Sequence, residues 1–433
     1  EMSHKVYVEF PGRLVMVGFG SIGQGVLPLI LRHIGIRPDR VVIVTAEDSG
    51  RAEAEQLGVR FIKEPLVREN YRRVLENLLG RGDFLVNLSV DVSSIALIKF
   101  CWERGAMYID TCIEPWAGGY TDPSTPPGKR TNYALREDAL QLRTDLTAKN
   151  PTAILTHGAN PGLVSHFVKE ALLTLKRDIG VDKEKPEPAT RAEWAELAQA
   201  LGVKVIHVAE RDTQVSPKVK EVNEFVNTWS VDGFVSEGCQ PAELGWGTHE
   251  RNFPRDAKRH EFGSGAAIYL GQPGAATRVR TWTPKAGPIH GFLITHSEAI
   301  SLADFYTVRK HGEVAYRPTS HYAYHPSDSA VISIHELAGR NWQMQDRKRI
   351  LMDEITSGMD ELGVLLAGHK KNAYWYGSQL TVQEARALAP YNNATSLQVT
   401  VAVLAGIIWA MEHPDRGLLE PDELDHKRIL EIC

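Results

Sequence analysis

Gly18-Phe19-Gly20-Ser21-Ile22-Gly23 stands between an aliphatic run, Leu14-Val15-Met16-Val17, and an amphipathic stretch over residues 21–33. In a strand, turn and helix the three glycines have separate tasks. The first permits the tight turn, the second lets backbone approach a pyrophosphate, and the third lets the helix lie close to the strand. Orphan N–H groups and the positive dipole end at the helix start then favour an anion. The hexapeptide alone is weak, because glycines also occur in turns that bind nothing. With a strand before it and a helix after it, Gly18, Gly20, Ser21, Ile22 and Gly23 read as a dinucleotide cradle. An acid about 20 residues further on should hold the adenosine ribose. Here the second strand ends Val44-Thr45-Ala46-Glu47-Asp48, so Thr45 takes the expected position and Glu47 or Asp48 is the acid in reach. No Arg adjoins them to meet a 2′-phosphate, which favours NAD over NADP.

Other residues of chemical interest fall where predicted strands end. Glu210 and Glu237 do so in the second half, and Glu114 follows a strand of the first half near its carboxyl end, where open α/β sheets bind ligands. Without a ligand, such glutamates are solvated or salt-bridged surface residues. His296 follows a predicted strand over 291–295. A histidine titrates near pH 6.5 and could accept a proton, or serve as a core residue satisfied by hydrogen bonds. Trp229 offers an indole face that attracts a cation by about 0.5 to 2 kcal/mol, although most of the nine tryptophans must belong to core or interface. Asn160, in Asn160-Pro161-Gly162, has an amide and a carbonyl to orient a nicotinamide or a reacting group, or it is only a turn residue. Asn87, Ser89, Asp91, Thr111, Asn160 and Pro161 follow strands and are expected to face the cofactor. His321 and His325 are spaced like a metal pair but sit in an aromatic alternation without a third ligand, so no metal is expected. Thr248-His249-Glu250 lacks a serine nucleophile elbow, which leaves hydrolase chemistry without support.

These residues need elements to carry them. From residue 13 to about 150, short β-branched runs over 14–17, 41–44, 84–88 and 107–110 alternate with helical stretches, the pattern of a parallel sheet with crossover helices. A helix is predicted over 132–149 and a strand over 153–156. After a charged, proline-bearing loop at 178–188 and a helix over 192–201, strands such as 204–209 and 291–295 between Gly-rich turns predict an α+β domain of mixed or antiparallel sheet. Helix returns over 380–411. The fold class is therefore α/β: a Rossmann-like parallel sheet domain over 1–155, a second α+β domain over 156–379 for substrate and dimerisation, and C-terminal helices over 380–433 that pack back on the core.

The chain has 433 residues, 43% hydrophobic and 24% charged, which fits two or three packed units. With 49 Lys+Arg against 54 Asp+Glu the net charge is −5, which offers no basic field for nucleic acid or an anionic membrane. Cys101, Cys112, Cys239 and Cys433 lack CxxC spacing and no secretory signal is visible, so a reducing, cytoplasmic setting is expected. The apolar stretch 399–411 is shorter than the ~20 residues of a spanning helix and is expected to be a buried helix.

Several long blocks in the second half are denser in Trp, Gly, Glu and His than a generic domain. His207-Val208-Ala209-Glu210-Arg211-Asp212-Thr213-Gln214 and Asn227-Thr228-Trp229-Ser230-Val231-Asp232-Gly233 open the series, which continues through Glu243-Leu244-Gly245-Trp246-Gly247-Thr248-His249-Glu250. Together with Asn87-Leu88-Ser89-Val90-Asp91, Glu114-Pro115-Trp116, Gly158-Ala159-Asn160-Pro161-Gly162, Gly291-Phe292-Leu293-Ile294-Thr295-His296 and His321-Tyr322-Ala323-Tyr324-His325-Pro326, they resemble the bacterial homospermidine synthases over nearly the whole chain. That family is a branch of the saccharopine dehydrogenase-like enzymes. The resemblance implies a bound NAD that shuttles a hydride, putrescine and related diamines or polyamines as substrates, and a homodimer joined through the second domain. It implies that putrescine is oxidised to an imine, ammonia leaves, a second putrescine condenses, and the new imine is reduced to homospermidine without net redox. Thr45, where an Asp would suit a ribose better, and a short C-terminus at Cys433 depart from the family pattern.

A diamine carries two ammonium groups, so a selective site should offer carboxylates and an apolar wall. The resemblance favours Glu210 and Glu237 for that part, with Glu114 beside them, Trp229 stabilising a cation, and Asn160 and His296 at the reacting nitrogen. A related dehydrogenase that reductively joins an amine to an amino-acid semialdehyde, as carboxynorspermidine or saccharopine enzymes do, is the alternative, and it would call for an Arg cluster. A dinucleotide-sensing protein without amine turnover is the other class.

Overall fold

A computed structural model of the chain describes residues 4–144 and 149–433. Seven parallel strands form the first sheet in the order Leu418–Leu419, Ala153–Ile154, Met107–Asp110, Phe84–Asn87, Leu14–Val17, Val41–Thr45 and Arg60–Lys63. Four of these strands are buried along their whole length at Leu14–Val17, Phe84–Asn87, Met107–Asp110 and Ala153–Ile154, which explains their continuous apolar runs. The order reverses between Leu14–Val17 and Phe84–Asn87, and a ligand crevice opens at such a switch point. The glycine turn leads directly into it.

The glycines at that turn do different work. Gly18 has φ +88°, and a Cβ there would lie 2.8 Å from the Leu88 backbone. A Cβ at Gly23 would meet Phe19, the Gly18 carbonyl and the Met16 sulfur at 3.0 to 3.4 Å, so helix Ser21–His33 lies against its own strand. Gly25 faces the other way, toward helix Ala394–Glu412, and a Cβ would come within 2.6 Å of Asn392 Oδ1 and 3.0 Å of Thr400 Cγ2.

The second sheet has nine strands of mixed direction. At its centre Val205–Asp212 runs parallel to Thr319–His325 and antiparallel to Met359–Ala367. Helices Leu163–Ile179 and Arg191–Leu201 supply much of the core on one face.

Three expectations need correction. The helix predicted over 132–149 is α-helical only at Asn132–Leu140 and ends in a 3-10 turn at Gln141–Arg143, while 145–148 lie outside the described residues. Glu237 is not at a strand end; it sits in helix Val231–Gly238, whose Ser230 cap accepts from the Gly233 amide and whose first-turn Asp232 suits the dipole. The C-terminal part is not purely helical, because strand Ala373–Thr381 extends past residue 380 and Leu418–Leu419 joins the first sheet.

Helix Ala394–Glu412 ties the two units. Its start is closed by a capping box of Asn393 and Ser396, and Asn393 Nδ2 also donates to the carbonyls of Thr228 and Leu351. It is apolar all round because it is covered all round: Ala402 enters the core of the second unit, while Leu397, Val403 and Ile407 enter that of the first. Arg136, 1% exposed, binds Glu420 and Asp304 and so joins helix Asn132–Leu140 to the C-terminal segment and to helix Ser297–Phe305.

Because helix Ser21–His33 approaches Ala394–Glu412 across a bare glycine, Gly25→Val should overpack that contact. A loss of about 2 kcal/mol is expected in urea denaturation.

Candidate active site

A narrow cleft opens between the carboxyl edge of the first sheet and the second unit. Glu114, Tyr120 and Pro161 line it from one side, and Glu237, Gln240 and His296 from the other. His296 holds the centre. It caps helix Ser297–Phe305 and is 7% exposed. Its Nε2 lies 2.8 Å from Glu237 Oε2, and its Nδ1 lies 3.2 Å from both oxygens of Glu298, which is fully buried. Burial alone would favour a neutral ring. The two carboxylates outweigh it and hold His296 well above its usual value as an imidazolium. With both ring nitrogens donating, the Asn160 amide turns its donor to Glu298 Oε1 at 3.4 Å.

The ring of His296 rests on Tyr322, centroids 4.4 Å apart, and the Tyr322 hydroxyl donates to Glu210 Oε1. Glu210 is 4% exposed and shares a hydrogen bond with Asp360, whose Oδ2 accepts from Gln398 Nε2 at 2.6 Å. No Lys or Arg pairs with these two acids among the described residues, and burial pushes both carboxyl groups upward against the weaker pull of His296 on Glu210. Two carboxyl groups in contact keep a proton between them. Trp229 stands one layer further back. Its Nε1 donates to the Tyr324 hydroxyl at 3.0 Å, and Tyr324 stacks on Tyr322.

Glu114 is fixed by its backbone: its N–H donates to Ser94 Oγ at 2.9 Å and its carbonyl accepts from the Ser94 N–H. Its carboxyl group takes a hydrogen bond from the Asp91 amide, yet burial, with Asp91 and Glu237 nearby, pushes it up to about 8. That contact ties the cleft to the dinucleotide crevice, since Asp91 ends the turn that begins at Asn87. There Asn87 Oδ1 accepts from Ser89 Oγ at 2.5 Å, and Asn87 Nδ2 donates to the Tyr108 hydroxyl. Thr111 Cγ2 lies beside Gly158, 3.5 Å from where a Cβ would stand. Gly20 itself faces open space, with nothing within 4 Å of a Cβ, and helix Ser21–His33 has no side-chain cap. This end of the helix therefore fits a pyrophosphate.

Thr45 ends its strand, and one of the two acids that follow it is engaged. Asp48 binds both Arg51 and Lys63 at 2.9 Å, correcting the expectation that no Arg accompanies it. Both ring nitrogens of His296 are satisfied by hydrogen bonds, and as an imidazolium it would have to give a proton away before it could accept one.

Residues 14–154 match the family described as saccharopine dehydrogenase NADP binding domain, and residues 158–433 match the saccharopine dehydrogenase C-terminal domain. The homospermidine synthase of Blastochloris viridis is 55% identical over 99% of this chain and 90% of its own. That of Mesorhizobium japonicum is 52% identical over 99% of this chain and 89% of its own. The chain belongs to the saccharopine dehydrogenase family and, within it, to the homospermidine synthases. The crystal structure of the Legionella pneumophila homospermidine synthase in complex with NAD superposes with a TM-score of 0.91 at 48% identity, covering 100% of this chain and 90% of that one. Saccharopine dehydrogenase from Saccharomyces cerevisiae, at 10% identity and a TM-score of 0.52 over 97% of this chain and 96% of its own, shares the fold.

The cleft thus brings Glu114, Glu237, His296, Asn160 and Pro161 together, with Glu210 behind Tyr322; Trp229 is outside its lining. Sequence reasoning missed Glu298 and Asp360. Glu298 carried a signal, an acid two residues past His296 in the first turn of a helix. Asp360 carried none, because only strand pairing places it beside Glu210.

His296 is held above its free value of 6.5, so the stabilisation it gives is complete below about that pH and vanishes as pH rises through the raised value. Glu237→Gln should therefore be less stable than the parent by about 2 kcal/mol near pH 6, with the gap closing only at a pH above the raised value of His296. Urea denaturation near pH 6 and above that value checks this, and a gap independent of pH would mean that His296 is neutral.

Proposed function

We propose that this chain is a homospermidine synthase that binds NAD and joins two putrescines, releasing ammonia, with no net redox change. The observation that carries the reading is a cleft walled by Glu114 and Glu237, with no Lys or Arg in its lining among the described residues. The one cation in that lining, His296, is already paired with Glu237 and Glu298, which counts against a substrate carboxylate and so against reductive amination of an amino-acid semialdehyde. Identities of 52% and 55% to homospermidine synthases support the same reaction.

NAD fits the cradle of Gly18, Gly20, Ser21, Ile22 and Gly23, with Thr45, Asn87, Ser89, Asp91, Thr111, Asn160 and Pro161 along its course. It supplies the acceptor, and later the donor, of a hydride. Asp48 favours NAD over NADP, since its carboxylate already occupies Arg51 and Lys63 and would repel a 2′-phosphate.

The chain's own groups handle charge and protons. Glu237 offers a carboxylate to an ammonium. Glu114, a neutral acid near pH 7, would lose its proton when an ammonium arrives beside it. His296 can give a proton to departing ammonia and later recover one, its ring kept in place by Glu298 and Tyr322. Glu210 and Asp360 form a second acidic pole behind Tyr322 for the far end of a diamine. Trp229, fixed by its bond to Tyr324, presents an indole face that stabilises a cation without reacting with it. The active species is a cytoplasmic homodimer; all four cysteines are free, as a reducing compartment requires.

Purified protein given putrescine and NAD should form homospermidine and ammonia in equal amounts, with NAD required but not consumed. Finding neither product would overturn the reading. Net consumption of NADH or NADPH with an amino-acid semialdehyde would move the chain to the reductive class. Trp229→Ala should lose about tenfold or more in turnover while NAD still binds, and a near-normal rate would remove Trp229 from the cation's surroundings.

A further inference from the structure

Gln240 stands where helix Val231–Gly238 gives way to strand Pro241–Gly245. Its backbone is fixed on both sides: the N–H donates to the Glu237 carbonyl at 3.2 Å, and the carbonyl accepts from Gly274 N at 3.0 Å. The side chain is fixed too, since Nε2 donates to the Ser236 carbonyl at 3.0 Å. That bond settles which way the amide lies, because turning it over would set one carbonyl oxygen against another. What remains is Oε1, buried and without a partner.

Gln240 is 7% exposed and lines the same cleft as Glu114, Glu237 and His296. Among the described residues of that lining, no other side-chain nitrogen or oxygen is both buried and unpartnered. Buried acceptors are nearly always satisfied, so an orphan in a cleft wall points to a donor that arrives with the ligand. The other strong acceptors here are carboxylates, and a carboxylate favours the ammonium form of an amine. Neither hydride loss nor attack on an imine can proceed from ammonium, since both need the nitrogen uncharged. A neutral amide oxygen accepts an N–H from an uncharged amine without demanding that it keep its charge.

We infer that Gln240 is a positioning residue whose Oε1 takes a hydrogen bond from the uncharged, reacting amine of the substrate. This rests on the diamine reading above and adds to it a neutral contact beside the acidic ones.

The test uses the full chain with NAD and two variants. Gln240→Met keeps the length but removes the acceptor, along with the Nε2 bond to Ser236; kcat/KM for putrescine should fall about tenfold, while NAD affinity stays at the parental value and the thermal midpoint falls only slightly. Gln240→Glu replaces a neutral acceptor with an anion that favours ammonium, so the acidic limb of the pH profile of kcat/KM should move to higher pH. A purely structural part for Gln240 would leave that limb where it is. The inference is overturned if Gln240→Met stays within about twofold of the parent. It is equally overturned if both variants lose activity together with an unshifted profile, which would mean that Gln240 only closes the helix end or holds a water. Calorimetric titration of putrescine into the NAD-loaded proteins reads the same contact independently: weaker binding in Gln240→Met supports it and unchanged binding overturns it. A parent that yields no homospermidine refutes the proposed reaction, a result separate from either variant's.

Discussion

A buried imidazolium between two carboxylates is the constraint around which this molecule is arranged. Taking His296 out of water is costly unless both ring nitrogens find anions, and Glu237 and Glu298 come from different helices to supply them. Asn160, from a turn between the two units, donates to one of those anions, and Tyr322, from the second sheet, floors the ring. Such a cluster contributes little net stability, since the desolvation of three charged groups offsets most of their attraction. Its effect is on placement. The ring can hold its proton only if helix Val231–Gly238, helix Ser297–Phe305, the Asn-Pro-Gly turn and strand Thr319–His325 stand together.

The remaining acids divide by whether the protein itself satisfies them. Glu420 is buried against Arg136, which holds it below the ordinary carboxylate range. Glu243, pushed up to about 7 by burial, is still taken up by structure: it accepts from Thr295 Oγ1 at 2.6 Å and from the amides of Asn132 and Tyr133, closing the start of a helix. Among the described residues, Glu114 and the Glu210–Asp360 pair have no Arg or Lys against them. They are kept as acids by burial, and an arriving ammonium would return them toward the carboxylate form. A group whose charge state changes when a cation arrives belongs to binding, whereas one already satisfied by an Arg or a helix start belongs to the fold.

How far the sequence could be read follows from the range of each interaction. The glycine turn was legible because its tasks are local: φ at Gly18, open space at Gly20, and helix-to-strand packing at Gly23 all arise within six residues. The fully buried strands of the first sheet announced themselves by uninterrupted apolar runs. Helix Val231–Gly238 was misread because Val231, Phe234 and Val235 among small residues suit a strand as readily as one face of a short helix; the Ser230 cap was the overlooked signal. Asp360 and Tyr322 were invisible as partners of Glu210, because register across three strands brings them together. The proton state of His296 was unreadable for a similar reason. It depends on an anion 59 residues away in sequence as much as on the one two residues away.

The link between the two units also bears on how the site works. Helix Ala394–Glu412 belongs to both cores, Arg136 joins the C-terminal segment to helices from each side, and Glu243 of the second sheet closes the start of Asn132–Leu140. A large hinge opening would have to break these buried contacts together. The Glu114 side of the cleft is thus held against the Glu237 and His296 side before any ligand binds, and proximity and orientation are set in the fold. What stays adjustable is protonation. In a cleft whose walls are fixed, a change of protonation at Glu114 or His296, whose ordinary values the surroundings have moved, is the way left for such a site to answer a change in charge at a bound nitrogen.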